Sequence, residues 1–487
     1  MRASRLRRLW PGAGATAGRA VVLLCLLAQL GCESEVKEPD LGFIYDALAM
    51  NETPERNPVI VIPGVLGSRL SKVDDGSVVW GAFGAGFSKN VNDAQARDIS
   101  LPMRDGASLD ELRDDVEAVG ALDRVKIKVL GLSVELQAYH RILATLGVGG
   151  YRDEEIGSSG AIDYGEAHFT CFQFAYDWRR DLVESAALLD AYIEEKRRYV
   201  QQEIERRFGL EDYPVKFDIV AHSMGGLLTR YFLRYGNQGL PDDGSLPALT
   251  WDGARHVERV ILIGTPNAGS VDSFKTLVEG VRLLPGIPQY NAAIIGTMPS
   301  LYQLIPRARH QAVVEAGAPD NWLDLTDPEV WERQSWGLAN PALDADLAVL
   351  LPEAADAAER RAIALDHQRK SVNRATQFHQ AIDVPAAPPP GLMLHLVAGD
   401  AVATNQTAAA ASDGSLEIIS TGPGDGSVLR SSALMDERVG SDLGGTLISP
   451  VRWSNVQFLF SDHLGLTKDP AFADNVLFLL LEAPRYY

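Results

Sequence analysis

The stretch FDIVAHSMGGLL, residues 217–228, decides the fold. Its first half, with Val215 and Lys216 before it, is a short apolar run of the kind buried on both faces of a sheet, and from Gly225 to about Tyr235 the pattern turns helical. Ser223 sits between the two. A serine directly after a buried strand and directly before a helix, with small residues two places before it (Ala221) and two after it (Gly225), is a nucleophile elbow, G-x-S-x-G with alanine in the first position. The small residues have a steric cause: the turn is strained so that Oγ projects above the sheet, and bulk at those positions would strike the neighbouring strand or helix. The helix behind the serine aims its first amides and positive dipole end at it, which favours a developing oxyanion. A serine that merely caps a helix has the same local pattern, so the surroundings decide.

Upstream, NPVIVIPGVLGSRL (residues 57–70) is a continuous apolar strand followed by a Pro-Gly turn and a second glycine. In a fold with such an elbow, the loop after this strand supplies a second oxyanion donor, here the backbone amide of Val65 or Leu66, partnering that of Met224. Downstream come further elements in alternation: a strand near Phe169–Tyr176, a long charged helix from about Ser185 to Phe208, the elbow strand and its helix, and the strand VERVILIG (257–264). That rhythm predicts an α/β architecture, a mainly parallel central sheet with helices on both faces: the α/β-hydrolase fold. Two stretches break it. Residues 271–383, with Trp322, Trp331, Trp336 and a charged helical run around Glu353–Lys370, are expected to form an inserted cap, closed by the prolines at 385 and 388–390 before the strand LMLHLVAG (392–399). A smaller insertion is expected at about 71–122, where WGAFGAGF and LDELRDDVEA fit no sheet pattern.

Taken in order, PVIVIPGVLGSRL, AYDWRRD, AHSMGG, PSLYQLIP, GPGDGSVLRSS and DHLGLT resemble the lecithin:cholesterol acyltransferase family, which includes lysosomal phospholipases and plant acyltransferases. The resemblance runs over about residues 57–483, with the cap matching only in places. It implies Ser223 as nucleophile, Asp425 in GPGDGSV as the acid and His463 in DHLGL as the general base. The residues themselves agree on the histidine, which must follow the last strand: WSNVQFLF (453–460) precedes it and an apolar helix follows. Of nine histidines, His222 lies inside the elbow, His140 and His367 on helical faces and His395 in mid-strand. The acid has two candidates. Asp400 closes the strand before a hairpin, where a simple hydrolase carries it; Asp425 lies after that hairpin, between glycines that suit a carboxylate held by backbone donors. In YDWRRD, Asp177, Arg179 and Arg180 read as structural. The family's lid disulfide has no counterpart here.

The chain's ends and composition bound the rest. Residues 1–31 read as an export signal: five arginines and no acid precede the apolar run Ala20–Leu30, too short to span a bilayer. Leu30-Gly31-Cys32 resembles a bacterial lipoprotein cleavage site with Cys32 as lipid attachment, although Gln29 stands where that pattern prefers leucine and plain secretory cleavage stays open. Residues 32–56, acidic and punctuated by Pro39 and Pro54, are expected to be a tether, and 57–487 the hydrolase domain. After the leader, 40 basic side chains face 65 acidic ones, a net charge of −25 that argues against nucleic acid as a partner. Of three cysteines only Cys171 belongs to the body, so no internal disulfide framework can form. No metal-ligating cluster and no phosphate or dinucleotide loop is legible, and no cofactor is expected. The expectation is an exported, membrane-associated serine esterase passing an acyl group from a phospholipid or related lipid ester, through acyl-Ser223, to an alcohol or water. A general triacylglycerol lipase or carboxylesterase, and a non-catalytic lipid-binding surface lipoprotein, are the alternatives. Head group, acyl position, acceptor and oligomeric state are not legible.

Overall fold

The computed structural model describes residues 38–81, 91–121, 125–129, 132–136, 138–156, 168–281, 289–439 and 443–485. The expected export signal, Cys32 and most of the glycine-rich WGAFGAGF stretch lie outside the described residues. Six strands form the central sheet: β1 (Val59–Ile62), β2 (Cys171–Gln173), β3 (Phe217–His222), β4 (Val257–Ile263), β5 (Met393–Gly399) and β6 (Asn455–Leu459). All five pairings are parallel, in the order β6-β5-β4-β3-β1-β2.

Period-two alternation sends the two sides of each strand into different cores. Val59, Val61, Val220, Ile261, Ile263 and Val397 point to one face, where helices α2 (Ala138–Val148) and α6 (Pro470–Leu481) cover them with Ile142, Leu146, Phe472 and Val476. Ile60, Ile62, Ile219, Ala221, Val260 and Leu396 point to the other, against α3 (Leu182–Phe208) and α4 (Met224–Tyr235). The inner strands β1, β3, β4 and β5 are therefore buried on both faces, which is why they carry no regular polar alternation. Helix α3 starts on Asp181, whose side chain accepts from Val183 N, and stops at Gly209, whose φ of 68° ends the helix in a left-handed cap.

Three expectations from the sequence need correction. Residues 32–56 are not wholly a tether, because Leu41–Met50 form helix α1. LGFIYDALAM carries a single charge, and Tyr45 and Ala49, one turn apart, are buried, with the Tyr45 hydroxyl donating to Asp474 Oδ1 of α6 at 2.9 Å. The flanking prolines and acids hid that short apolar face. Second, the smaller insertion does contain a sheet: Ser68–Lys72 pairs antiparallel with Val78–Trp80 and with Val116–Ala121. One solvated face lets such a sheet tolerate residues such as Glu117, which a buried strand would not. Third, the strand expected at Phe169–Tyr176 is paired only over Cys171–Gln173, and its remainder turns away to carry Asp177–Arg180.

Between β4 and β5 the chain runs through several short helices and the 27-residue helix α5 (Ala357–Asp383). Within that stretch Val313–Glu315 pairs with Ala318–Trp322 and, in parallel, with Val402–Ala410, which in turn pairs with Leu416–Gly424. This second, four-stranded sheet ends beside the carboxyl ends of the central strands, where Asp425 begins.

Candidate active site

Ser223 connects β3 to α4 with φ 53° and ψ −125°, a left-sided backbone that side-chain-bearing residues rarely adopt. Its amide is tied to the Ile263 carbonyl at 2.8 Å. The glycines after it are required by contact rather than by flexibility. A Cβ at Gly225 would lie 2.4 Å from the Pro63 carbonyl oxygen, and one at Gly226 would lie 2.0 Å from Thr265 Oγ1. The turn is thus wedged between the end of β1 and the end of β4.

His463 follows β6 on a short loop. Its Nε2 is 3.1 Å from Ser223 Oγ, and its Nδ1 is 2.8 Å from Asp425 Oδ2. The other carboxylate oxygen, Asp425 Oδ1, accepts from the amides of Ser427 (2.9 Å) and Val428 (2.7 Å), and the Asp425 carbonyl accepts from His463 N at 2.8 Å. Asp425 is 1% exposed and Ser223 8%. Burial alone raises the Asp425 pKa, but the hydrogen bonds and charge of His463 and the two amides outweigh it and hold the carboxyl below its ordinary value. An ionised Asp425 only accepts, so His463 carries its proton on Nδ1 and offers the Nε2 lone pair to the Ser223 hydroxyl.

Asp400, the other candidate acid, is not in this constellation; it pairs loosely with Arg430, 3.7 Å away. Gly399 accounts for the difference. A Cβ there would come within 2.6 Å of Asp425 Cβ, so the glycine leaves room for the later aspartate to cross the end of β5. Asp462 bonds its own loop through Gly465 N at 2.7 Å. His395 is buried in mid-strand, and burial first, then Arg259, push its pKa down to about 4.

Of the backbone donors expected for an oxyanion, Met224 directly follows the serine, and Val65 follows Gly64, on which a Cβ would lie 2.8 Å from Ser223 Cβ. Met224 is the first residue of α4, and among the described residues no backbone or side-chain hydrogen bond engages the amide of Met224 or of Val65. Leu66, the alternative, has φ 63° and offers its carbonyl to Trp80 Nε1 at 2.9 Å. YDWRRD braces this same loop. The Tyr176 hydroxyl donates to the Pro63 carbonyl (3.0 Å) and Trp178 Nε1 to the Ser68 carbonyl (3.2 Å), while Arg179, fully buried, is held by Asp177 and Asp114. Sequence reasoning passed over Tyr139, whose hydroxyl accepts from Gly64 N at 2.7 Å. No local pattern marks it, since the contact spans 75 residues. Among the described residues no group of three or more His, Cys, Asp or Glu is placed to hold a metal ion.

Comparison with known proteins gives the constellation a context. The sequence model of the lecithin:cholesterol acyltransferase family matches residues 111–320. No curated protein matches the chain. Among solved structures, the Tle4–Tli4 complex contains a chain 16% identical, covering 88% of this chain and 99% of its own, with a TM-score of 0.55. A lipase of Bacillus licheniformis, BlEst2 in its mature form, is 13% identical over 88% of this chain and 94% of its own, with a TM-score of 0.30. At such identities the first likeness speaks for the fold alone. The chain has the α/β-hydrolase fold and, over residues 111–320, is similar to the lecithin:cholesterol acyltransferase family, a likeness that supports an enzyme of lipid acyl transfer or ester hydrolysis.

Proposed function

We propose that the chain is a serine esterase in which Ser223 is acylated by a lipid ester, with His463 as general base and Asp425 as the group that orients it. The observation that carries this reading is the pair of contacts at His463, 3.1 Å to Ser223 Oγ and 2.8 Å to Asp425 Oδ2, on a serine held in a strained turn. In the reaction, His463 Nε2 takes the hydroxyl proton as Oγ bonds to the ester carbonyl carbon. The tetrahedral oxyanion is met by the amides of Met224 and Val65, and loss of one such donor costs about 3 kcal/mol of transition-state stabilisation. Imidazolium His463 then returns the proton to the departing alcohol, leaving acyl-Ser223. A second alcohol, or water, enters by the same steps in reverse. Asp425 stays ionised throughout and stabilises the imidazolium.

Phospholipid as acyl donor is the finer part of the reading, supported by the family match over residues 111–320. Export through the leader and anchoring through Cys32 complete it; among the described residues no helix is long and apolar enough to cross a membrane. Acyl-labelled phosphatidylcholine vesicles with and without a sterol or long-chain alcohol test the chemistry. Label on the alcohol makes the chain an acyltransferase, and label only in free fatty acid makes it a phospholipase. No release from any ester, with no labelling of Ser223 by a fluorophosphonate, would overturn the reading. Anchoring is tested separately by the mass of the mature N-terminal peptide, which must carry acyl chains on Cys32.

A further inference from the structure

Three loops have to keep register for this site to work: the turn after β1 that carries the Val65 amide, the elbow, and the loop of His463. A buried chain of hydrogen bonds runs through all three. The Gly64 amide donates to the Tyr139 hydroxyl oxygen at 2.7 Å; that hydroxyl lies 3.2 Å from His222 Nδ1; and His222 Nε2 lies 3.4 Å from the His463 carbonyl oxygen. The directions follow from chemistry. A carbonyl only accepts, so the proton of His222 sits on Nε2, and Nδ1 is left to accept from the Tyr139 hydroxyl. Burial, and then the neighbouring His463, keep His222 neutral by pushing its pKa down to about 3, so this arrangement is kept wherever the site works. The Tyr139 hydroxyl and both ring nitrogens of His222 are thus paired, and both side chains are buried, where a lost partner is costly.

Packing makes the chain tight. A Cβ on Gly64 would lie 2.8 Å from Ser223 Cβ, and one on Gly67 would lie 2.8 Å from the Tyr139 hydroxyl. The Tyr139 and His222 rings meet edge to face with centroids 5.6 Å apart. The ring of Tyr139 thus fills the space under the turn while its hydroxyl fixes the turn's height above the serine.

We infer that Tyr139 and His222 are positioning residues: through their hydrogen-bonded chain they set the amide of Val65 and the backbone of His463 at working distance from Ser223. Neither touches substrate. This inference rests on the serine-esterase reading of the same site.

Removing the hydroxyl while keeping the ring separates position from packing. In Tyr139→Phe, the second-order rate of Ser223 labelling by a fluorophosphonate, and kcat on a soluble p-nitrophenyl ester, should fall about ten- to a hundredfold, the scale of a misplaced reacting group. KM should stay within about twofold. His222→Asn keeps an acceptor near the Nδ1 position and should lose less than His222→Gln, which does not. Tyr139→Phe combined with His222→Gln should be no slower than the worse single variant, because both break one chain. An unaltered chain that fails to label overturns the esterase reading and this inference with it. Normal labelling of the unaltered chain with an equally fast, folded Tyr139→Phe overturns the inference alone, as do additive losses in the double variant. A Tyr139→Phe chain that does not fold also overturns it, since the hydroxyl would then hold the fold and not the loop.

Discussion

Replacing Asp425 by asparagine is the sharpest test of how the site is wired. The substitution changes one atom, and the structure dictates how the amide must lie. Asp425 Oδ1 accepts from two backbone amides, at 2.9 and 2.7 Å, in a place almost sealed from water. Turning the amide nitrogen toward them would leave both donors unpaired, at a cost of about 1–3 kcal/mol each. The nitrogen therefore takes the place of Oδ2 and donates to His463 Nδ1, which must then accept. That forces the imidazole proton onto Nε2, facing Ser223 Oγ, where it cannot act as a base. The wrong tautomer is expected to lower kcat about 10⁴-fold, equivalent to about 5.5 kcal/mol, as in the analogous serine-protease substitution. The assay is kcat on a soluble p-nitrophenyl ester at pH 7.5, with far-ultraviolet circular dichroism and Tm to show that the fold is kept. Asp400→Asn is the control. Its loose contact with Arg430 is partly exposed and worth less than about 1 kcal/mol, so kcat should not change. Asp425→Asn within tenfold of the unaltered chain, or a larger loss in Asp400→Asn, would refute the assignment of the acid.

Further outcomes follow from the same geometry. Gly225→Ala places a methyl 2.4 Å from the Pro63 carbonyl, and should cost about 1–3 kcal/mol of stability, read as a fall in Tm, together with most of the activity. Arg179→Ala leaves Asp177 and Asp114 without their buried partner and should destabilise by about 3–5 kcal/mol in urea unfolding, with no effect expected from Arg198→Ala on the surface. Five histidines, His222, His310, His367, His379 and His395, have pKa values pushed down to between about 3 and 4, with burial the largest cause at each. Depressed folded values mean that the unfolded chain binds more protons, so stability is present above about pH 6.5 and is lost as pH falls toward 4, by about 1.4 kcal/mol per pH unit for each. A Tm that stays flat from pH 7.5 to 4.5 would contradict this.

What could be read along the chain was what is local. The buried strands, the elbow at Ser223, the helix behind it and the histidine after the last strand all announce themselves within about a dozen residues, because burial on both faces and a strand-to-helix turn leave few choices of residue. Helix α1 was missed for a related reason: its apolar face is two side chains wide, and the prolines and acids around it dominate any window of useful length. Tyr139 was invisible because a single hydrogen bond to Gly64 leaves no periodic trace. The acid lay between these cases. Gly424 and Gly426 around Asp425 could be read as a carboxylate in a turn, but the reason Asp400 yields to it, a glycine at 399 that lets the later loop cross, is a contact between distant segments.

That crossing has a mechanical consequence. The hairpin leading to Asp425 is anchored at its far end to Val313–Glu315, within the stretch between β4 and β5, through parallel pairing with Ala408–Ala410. Nearer the site it is held by Ser270 Oγ on the Ser427 carbonyl, and by Thr404 Oγ1 accepting from Gly426 N at 2.8 Å. A hydrolase that took its acid from position 400 would hold the carboxylate on the central sheet alone. Here the carboxylate belongs to a second sheet that shares a strand with the segment most unlike the core, so a displacement of Val313–Glu315 has a covalent and hydrogen-bonded route to the group that orients His463. Thr404→Val cuts the nearest of these ties while leaving Asp425 and both its backbone donors in the chain. Its effect should fall on kcat, by about tenfold, and not on KM, because the base is loosened while the substrate's surroundings are untouched. A rise in KM at constant kcat would mean that the hairpin lines the substrate's path and does not steady the acid.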